Sequence, residues 1–323
     1  MGLLYNISVV IITYNREHEL KKCLLSIVSQ DYPKEHYEII VIDDGSVDGT
    51  ERIVSSFLCY GNVRYVKSDH KGCGAARNRG IERSNYELVT FVADDYIFDN
   101  NWISHVNNFF QEHKHVLVAR TVIKNYQRGF FSRVESFHWE TSLKIQNAIS
   151  RDKNFLIDIL KGLFCKRDRG DAEKSFYFPA SGCAVFKHSV FESVGLYNEA
   201  LIAGEDTEMG LRLSSHNIPI YLYNYPVFHN KRLNLKSFVN QFLNYGYWAY
   251  YVKKNQPGYF FYDFKGIRGL VNLFFYFTIY PVLKSSFAGN ILDFIMFYPF
   301  IFFVNILFLI GLIRAPYVAK KTL

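Results

Sequence analysis

Through its first third the chain alternates short apolar runs with segments of helical period, and this alternation leaves few folds open to it. Ile7–Thr13, Tyr37–Ile42, Val63–Lys67 and Glu87–Val92 are short and rich in β-branched residues, so they read as strands. Between them, Glu17–Ser29, Asp48–Tyr60 and Gly74–Ser84 place apolar residues three and four apart, and Asp48 is suited to cap the second helix. Parallel neighbours need a crossover of helical length. The order β-α-β-α therefore predicts an α/β fold, a Rossmann-like, mostly parallel sheet with helices on both faces.

From about 125 to 175 this pattern blurs into an insertion rich in Lys and Arg. Strands resume at Gly182–Phe186 and Ile218–Tyr223, flanking a helix over Glu205–Ser215, and Leu235–Lys254 reads as a further helix. The expected organisation is a sheet domain over 1–230, a linking helical segment over 231–265 and a hydrophobic tail over 266–323. The tail divides into two apolar stretches, Ile267–Leu283 and Ile291–Ile313, which predict a C-terminal helical hairpin. The second stretch, about 23 residues, would reach roughly 35 Å as a helix, enough to cross a bilayer. Lys265, Arg268, Arg314, Lys320 and Lys321 lie at the outer ends and only Lys284 in the connection, an asymmetry that would keep both ends cytoplasmic. Asp293, Pro281 and Pro299 favour the alternative, a hairpin that is buried or lies in the interface. Insertion is the reading preferred here, with the protein at the cytoplasmic face of the cell membrane.

Each strand of the first third ends in a polar set: "TYNRE" (Thr13–Glu17), "DDGSVDGT" (Asp43–Thr50), "HKGCGAARNRG" (His70–Gly80, ahead of the third helix) and "ADD" (Ala93–Asp95). Open parallel sheets bind ligands beyond the carboxyl ends of their strands, so the four sets should converge on one edge. Asp43, Asp44, Asp94 and Asp95 would repel one another there unless a cation compensates. Carboxylates select hard ions such as Mn²⁺ or Mg²⁺, and these bridge diphosphates. Arg77, beside a Gly-rich helix start, adds a phosphate-matched guanidinium. The net charge of +7 also favours anionic partners. Nucleic acid is set aside, because the basic residues form no continuous stripe with stacking aromatics. Five widely spaced cysteines without a CxxC pair argue against a disulfide framework or zinc site, and the amino terminus reads as a strand, not a signal peptide.

In order along the chain, "ISVVIITYNR", "IIVIDDGSVDGT", "GCGAARNRGI", "VTFVADD" and "GEDTEMGLRL" resemble the successive motifs of glycosyltransferase family 2 over about residues 6–230. The resemblance implies a GT-A fold and an inverting transfer from a nucleotide-activated sugar. It places Thr13, Tyr14, Asp44, Arg77 and Asp94 on the donor side, with Tyr14 at the base pocket, Asp44 on the nucleoside and Asp94 near the ribose or sugar. It implies a divalent metal, Mn²⁺ or Mg²⁺, on Asp95 and His229, although Ala93 stands where the family's acidic element often begins. Asp206 is implied as catalytic base, with Glu205, Ser181 and Gly182 on the acceptor side. By spacing alone, Glu205, Asp206 and Glu208 equally describe the acidic first turn of a helix.

"QFLNYGYW" lacks the QxxRW element of processive synthases, so one sugar should move per encounter. The expected acceptor is a hydroxyl of a glycan or of a polyprenyl-linked or other glycolipid, in polysaccharide biosynthesis. The competing expectation is a non-catalytic, membrane-associated protein that binds nucleotide-sugars. Ser46 at the nucleophile position argues against a haloacid-dehalogenase-type phosphatase, and the lack of glycine in "TYNRE" argues against a sugar nucleotidyltransferase.

Overall fold

The structure, a computed structural model, describes residues 4–125, 129–135, 173–175, 182–201, 204–229, 234–255 and 291–322. Its nine described strands are β1 Ile7–Thr13, β2 Tyr37–Asp43, β3 Val63–Lys67, β4 Leu88–Ala93, β5 Tyr96–Ile97, β6 Val118–Asn125, β7 Glu173–Ser175, β8 Cys183–Lys187 and β9 Ile220–His229. They form one sheet in the order β3-β2-β1-β4-β8-β6-β9-β5, with β7 on β9. The first four strands are parallel. Beyond them β8 runs antiparallel to both β4 and β6, and β5 antiparallel to β9. The sheet is therefore mixed, where the order of the first elements predicted mostly parallel pairing.

Alternation along β1 divides the core. Val9 and Ile11 pack on one face with Leu20, Leu24 and Ile27 of α1 (Glu17–Val28) and Trp102 and Phe110 of α4 (Trp102–Glu112). Val10 packs on the other with Ala76 and Ile81 of α3 (Cys73–Arg83), Phe191 of α5 (Ser189–Val194) and Met209 and Leu213 of α6 (Glu205–Ser215). All seven residues of β2 are buried, as a strand covered on both faces requires. The second predicted helix is shorter than expected: α2 spans Thr50–Ser55, and a 3₁₀ turn over Leu58–Tyr60 closes on Gly61 with φ of 80°. The N-cap is Gly49, not Asp48 as expected; Asp48, one residue earlier, accepts from the Thr50 N–H at 3.1 Å and from the Glu17 N–H at 3.1 Å, which joins the starts of α1 and α2.

Residues 127–168 and 232–323 belong to a second compact unit. Its described core joins Phe238 and Phe242 of α7 (Leu235–Asn255) to Val304 and Leu307 of α8 (Ile291–Thr322), with Val134. The helices cross at backbone contact: a Cβ on Gly246 would lie 1.8 Å from the Phe308 carbonyl oxygen, and one on Gly311 2.0 Å from that of Leu243. Gly246→Val is expected to force the pair apart and cost about 1–3 kcal/mol, the usual scale of overpacking, read as a lower thermal midpoint.

The expected C-terminal hairpin needs correction. Its first helix falls in 256–290, outside the described residues. Its second is the long helix α8, and the described partner of α8 is α7, because glycines on both helices allow close approach. Among the described residues no helix is long and apolar enough to cross a membrane. Most of the 125–175 insertion likewise lies outside the described residues.

Candidate active site

The loops after β1 and β2 are stitched together. Asn15, in the left-handed region with φ of 51°, donates its N–H to Ser46 Oγ and accepts from the Val47 N–H, both at 2.8 Å. Asp43 is consumed by this turn: it accepts from the Ser46 N–H at 2.8 Å and from the Tyr65 hydroxyl at 2.6 Å. Asp44 reaches forward instead, accepting from the N–H groups of Lys71 and Gly72 at 2.9 and 3.0 Å, with His70 Nδ1 at 3.2 Å. The ordered loop brings His70 onto Tyr14, with ring centroids 4.0 Å apart and planes at 21°. Tyr14 remains 41% exposed beside a buried carboxylate, a surface suited to a planar polar ring.

The second cluster forms where the chain leaves β4. Thr13 Oγ1 donates to Asp94 Oδ2 at 2.8 Å. Arg16, just before α1, forks across both carboxylates, with Nη1 3.1 Å from Asp94 Oδ1 and Nη2 2.9 Å from Asp95 Oδ2. His229 Nε2 lies 3.0 Å from the same Asp95 oxygen, because Tyr96 of β5 pairs in register with His229 of β9. Burial pushes the Asp94 carboxyl up to about 7, against the pull of Arg16 and with a push from Asp95. Burial also acts upward on Asp95, but His229 and Arg16 outweigh it and hold this carboxyl well below the usual range. The two carboxyls sit side by side because Arg16 pairs with both and His229 adds a second partner on Asp95.

The third group lies at the start of α6. Arg77 of α3 is buried, makes an ion pair with Glu205 and stacks 5.3 Å over the Tyr197 ring. Asp206, half-buried in the same first turn, accepts from the Thr207 N–H at 2.8 Å. Cys73, exposed at the start of α3, lies near all of these groups: partial desolvation raises its thiol, Arg77 opposes this, and Glu205, Asp44 and Asp206 reinforce it. Ala93, in place of an acidic residue, donates its N–H to the Gly182 carbonyl at 3.3 Å. A Cβ on Gly182 would lie 2.1 Å from the Tyr96 hydroxyl, so the buried Tyr96 ring requires glycine there. Ser181 lies outside the described residues.

The structure thus brings Thr13, Asp94, Asp95 and His229 together, and Tyr14 with Asp44 at the loop before α3. Arg77 and Glu205 meet each other in the interior. Sequence reasoning missed Arg16 and Tyr197. Arg16 had a usable signal, since two adjacent carboxylates at a strand end need a cation and "TYNRE" ends the neighbouring strand. Tyr197 had none.

Asp95 and His229 supply one carboxylate and one imidazole, in direct contact with each other at 3.0 Å, and as ligands such a donor pair suits Mn²⁺ better than Mg²⁺. Among the described residues no group of three or more His, Cys, Asp or Glu side chains could hold a metal. Any ion there would take its remaining ligands from a bound ligand or water, as ions that bridge diphosphates do.

The family model described as Glycosyl transferase family 2 matches residues 8–195. The chain is 33% identical over 149 residues to Glycosyltransferase AglE of Haloferax volcanii, covering 45% of this chain and 48% of that protein. It is 31% identical over 206 residues to the Minor teichoic acid biosynthesis protein GgaA of Bacillus subtilis, covering 62% of this chain and 41% of that protein. It thus spans less than half the length of either relative. Among solved structures, a mannosyltransferase from Pyrobaculum calidifontis in complex with GDP-Man and Mn²⁺ superposes with a TM-score of 0.62 at 13% identity, covering 98% of this chain and 88% of that one. At that identity the likeness concerns the fold.

Proposed function

Because the chain belongs to glycosyltransferase family 2, we propose that it transfers a single sugar, with inversion, from a nucleoside-diphosphate sugar to a hydroxyl of a glycan or of a polyprenyl-linked or other glycolipid acceptor. Its α/β fold is GT-A-like, with a mixed sheet. One observation carries the reading: strand ends far apart in sequence deliver Asp94, Asp95, Arg16 and His229 to a single cluster at the carboxyl edge. A carboxylate pair with its own cation and an imidazole is costly to bury and needs a charged ligand to explain it.

In this account the Tyr14 ring and Asp44 receive the nucleoside. Asp44 has acceptor capacity left for a base N–H, since a carboxylate offers about four lone-pair sites and backbone donors use two. Thr13 holds Asp94 toward the donor ribose or sugar. Asp95 and His229 would hold Mn²⁺, which when bound supplies positive charge to a departing diphosphate. Asp206 accepts the proton of the attacking hydroxyl, and the α6 N–H bonded to its Oδ1 fixes its orientation. Glu205, anchored by Arg77, holds the first turn of α6 in place, while Gly182, expected on the acceptor side, instead makes room for the buried Tyr96 ring. Direct displacement at the anomeric carbon inverts its configuration and needs no covalent intermediate.

Placement at the cytoplasmic face of the cell membrane, next to lipid-linked acceptors, is part of the proposal, and its support is the exposed Phe302, Phe303, Ile310 and Ile313 of α8. The similarity to a glycosyltransferase, AglE, and to a teichoic acid biosynthesis protein, GgaA, supports a glycan-building role. The test is a panel of nucleotide-sugars offered with Mn²⁺ and polyprenyl-linked or glycan acceptors, with nucleoside diphosphate release and product anomer as readouts. An inverted product supports the proposal, and binding without release from any donor supports the non-catalytic alternative. Tyr14→Ala should raise the donor Kd roughly fivefold, about 1 kcal/mol of lost stacking, with turnover nearly unchanged, as titration calorimetry and kinetics together would show.

A further inference from the structure

A single oxygen of Asp95 carries two partners. Its Oδ2 lies 2.9 Å from Arg16 Nη2 and 3.0 Å from His229 Nε2. The other arm of the same guanidinium holds Asp94 Oδ1 at 3.1 Å, while Thr13 Oγ1 donates to the second Asp94 oxygen at 2.8 Å. The Arg16 side chain is 38% exposed, whereas those of Asp94 and Asp95 are 5% and 4% exposed. A cation that solvent can reach thus sits at the mouth of a buried carboxylate pair.

Building on the reading that Asp95 and His229 hold a divalent ion, we infer that Arg16 is a resident counter-cation. It occupies the Asp95 oxygen in the free protein and releases it when the ion arrives together with a nucleoside diphosphate. An ion shared by Asp95 and His229 requires the ring nitrogen that now faces Asp95 Oδ2, and it brings two positive charges beside a guanidinium held on that oxygen. Like charges at such range in a poorly solvated site oppose each other strongly, so the ion alone competes with Arg16.

Asp94, steadied by Thr13, keeps its hold on the other arm. Arg16 therefore stays in the site while Nη2 turns to a new acceptor. A diphosphate presents oxygen pairs that match the guanidinium fork. Ion and diphosphate then each favour the binding of the other, and the coupling is reciprocal. Arg16 acts here through the metal ligands and the donor, as a positioning residue.

The test titrates the full chain with Mn²⁺ alone, then with UDP and with GDP, and follows free Mn²⁺ by electron paramagnetic resonance. Wild type should bind Mn²⁺ weakly alone and about tenfold more tightly with a diphosphate that fits. Arg16→Gln should bind Mn²⁺ alone about tenfold more tightly than wild type and lose most of the coupling. Arg16→Lys keeps the charge without the fork: its affinity for Mn²⁺ alone should stay near that of wild type, and the coupling should fall. If Arg16→Gln does not fold, the coupling in Arg16→Lys decides. Unchanged affinity for Mn²⁺ alone in Arg16→Gln, or full coupling in Arg16→Lys, overturns this inference and leaves the metal reading standing. No Mn²⁺ binding by any form, with either diphosphate present, overturns both.

Discussion

Asp206→Asn lowers turnover by about 10³-fold and leaves the donor Kd within roughly twofold, the expected result if Asp206 takes the proton from the acceptor hydroxyl. The substitution is nearly isosteric, and the amide oxygen can still accept from the Thr207 N–H that now bonds Asp206 Oδ1, so the first turn of α6 keeps its shape. What disappears is the capacity to bind a proton in the transition state. An effect on turnover without an effect on donor binding marks an interaction made only there. Equal rates in the two proteins would remove Asp206 from this role. A large loss of donor affinity would place it on the donor side.

The second large effect is on stability. Arg77→Met should destabilise the protein by about 3–5 kcal/mol, because it leaves Glu205 buried without its ion partner. The cation over the Tyr197 ring is lost as well. Arg77→Met combined with Glu205→Leu should recover most of this loss, since an apolar pair of similar volume removes the stranded charge. Urea unfolding of the two single variants and the double variant measures it. Additive losses in the double variant would show that the pair is not energetically coupled. Activity should stay low even where stability returns, because Asp206 shares the first turn of α6 with Glu205.

These two residues show what could be read from the sequence and what could not. The helix over Glu205–Ser215 has the bounds the sequence predicts, because its acidic first turn and apolar spacing are local features. β1 and β3 also keep their predicted bounds, since short runs of β-branched residues favour strands in a buried sheet. The direction of β8 was not legible. It depends on how the chain returns after β6, and the intervening sequence carries no clear period. β5, two residues long, is too short to carry any periodic signal, yet its pairing with β9 brings His229 to Asp95. Arg77 shows what a motif leaves out: beside a Gly-rich helix start it reads as a phosphate ligand, and the fold gives it in addition a buried ion partner, Glu205. No local pattern reports a partner that distant. Arg16 lies in a quoted motif, and the need of two adjacent carboxylates for a counter-charge was the clue to it.

The most direct measurement is a crystal structure of the full chain grown with Mn²⁺ and the nucleoside diphosphate that binds best, with anomalous scattering to place the metal. The account predicts Mn²⁺ bound by Asp95 and His229, the base against Tyr14 and Asp44, and the terminal phosphate on the side of Asp206. A nucleotide bound away from Asp44, or an ion ligated by neither Asp95 nor His229, would contradict it.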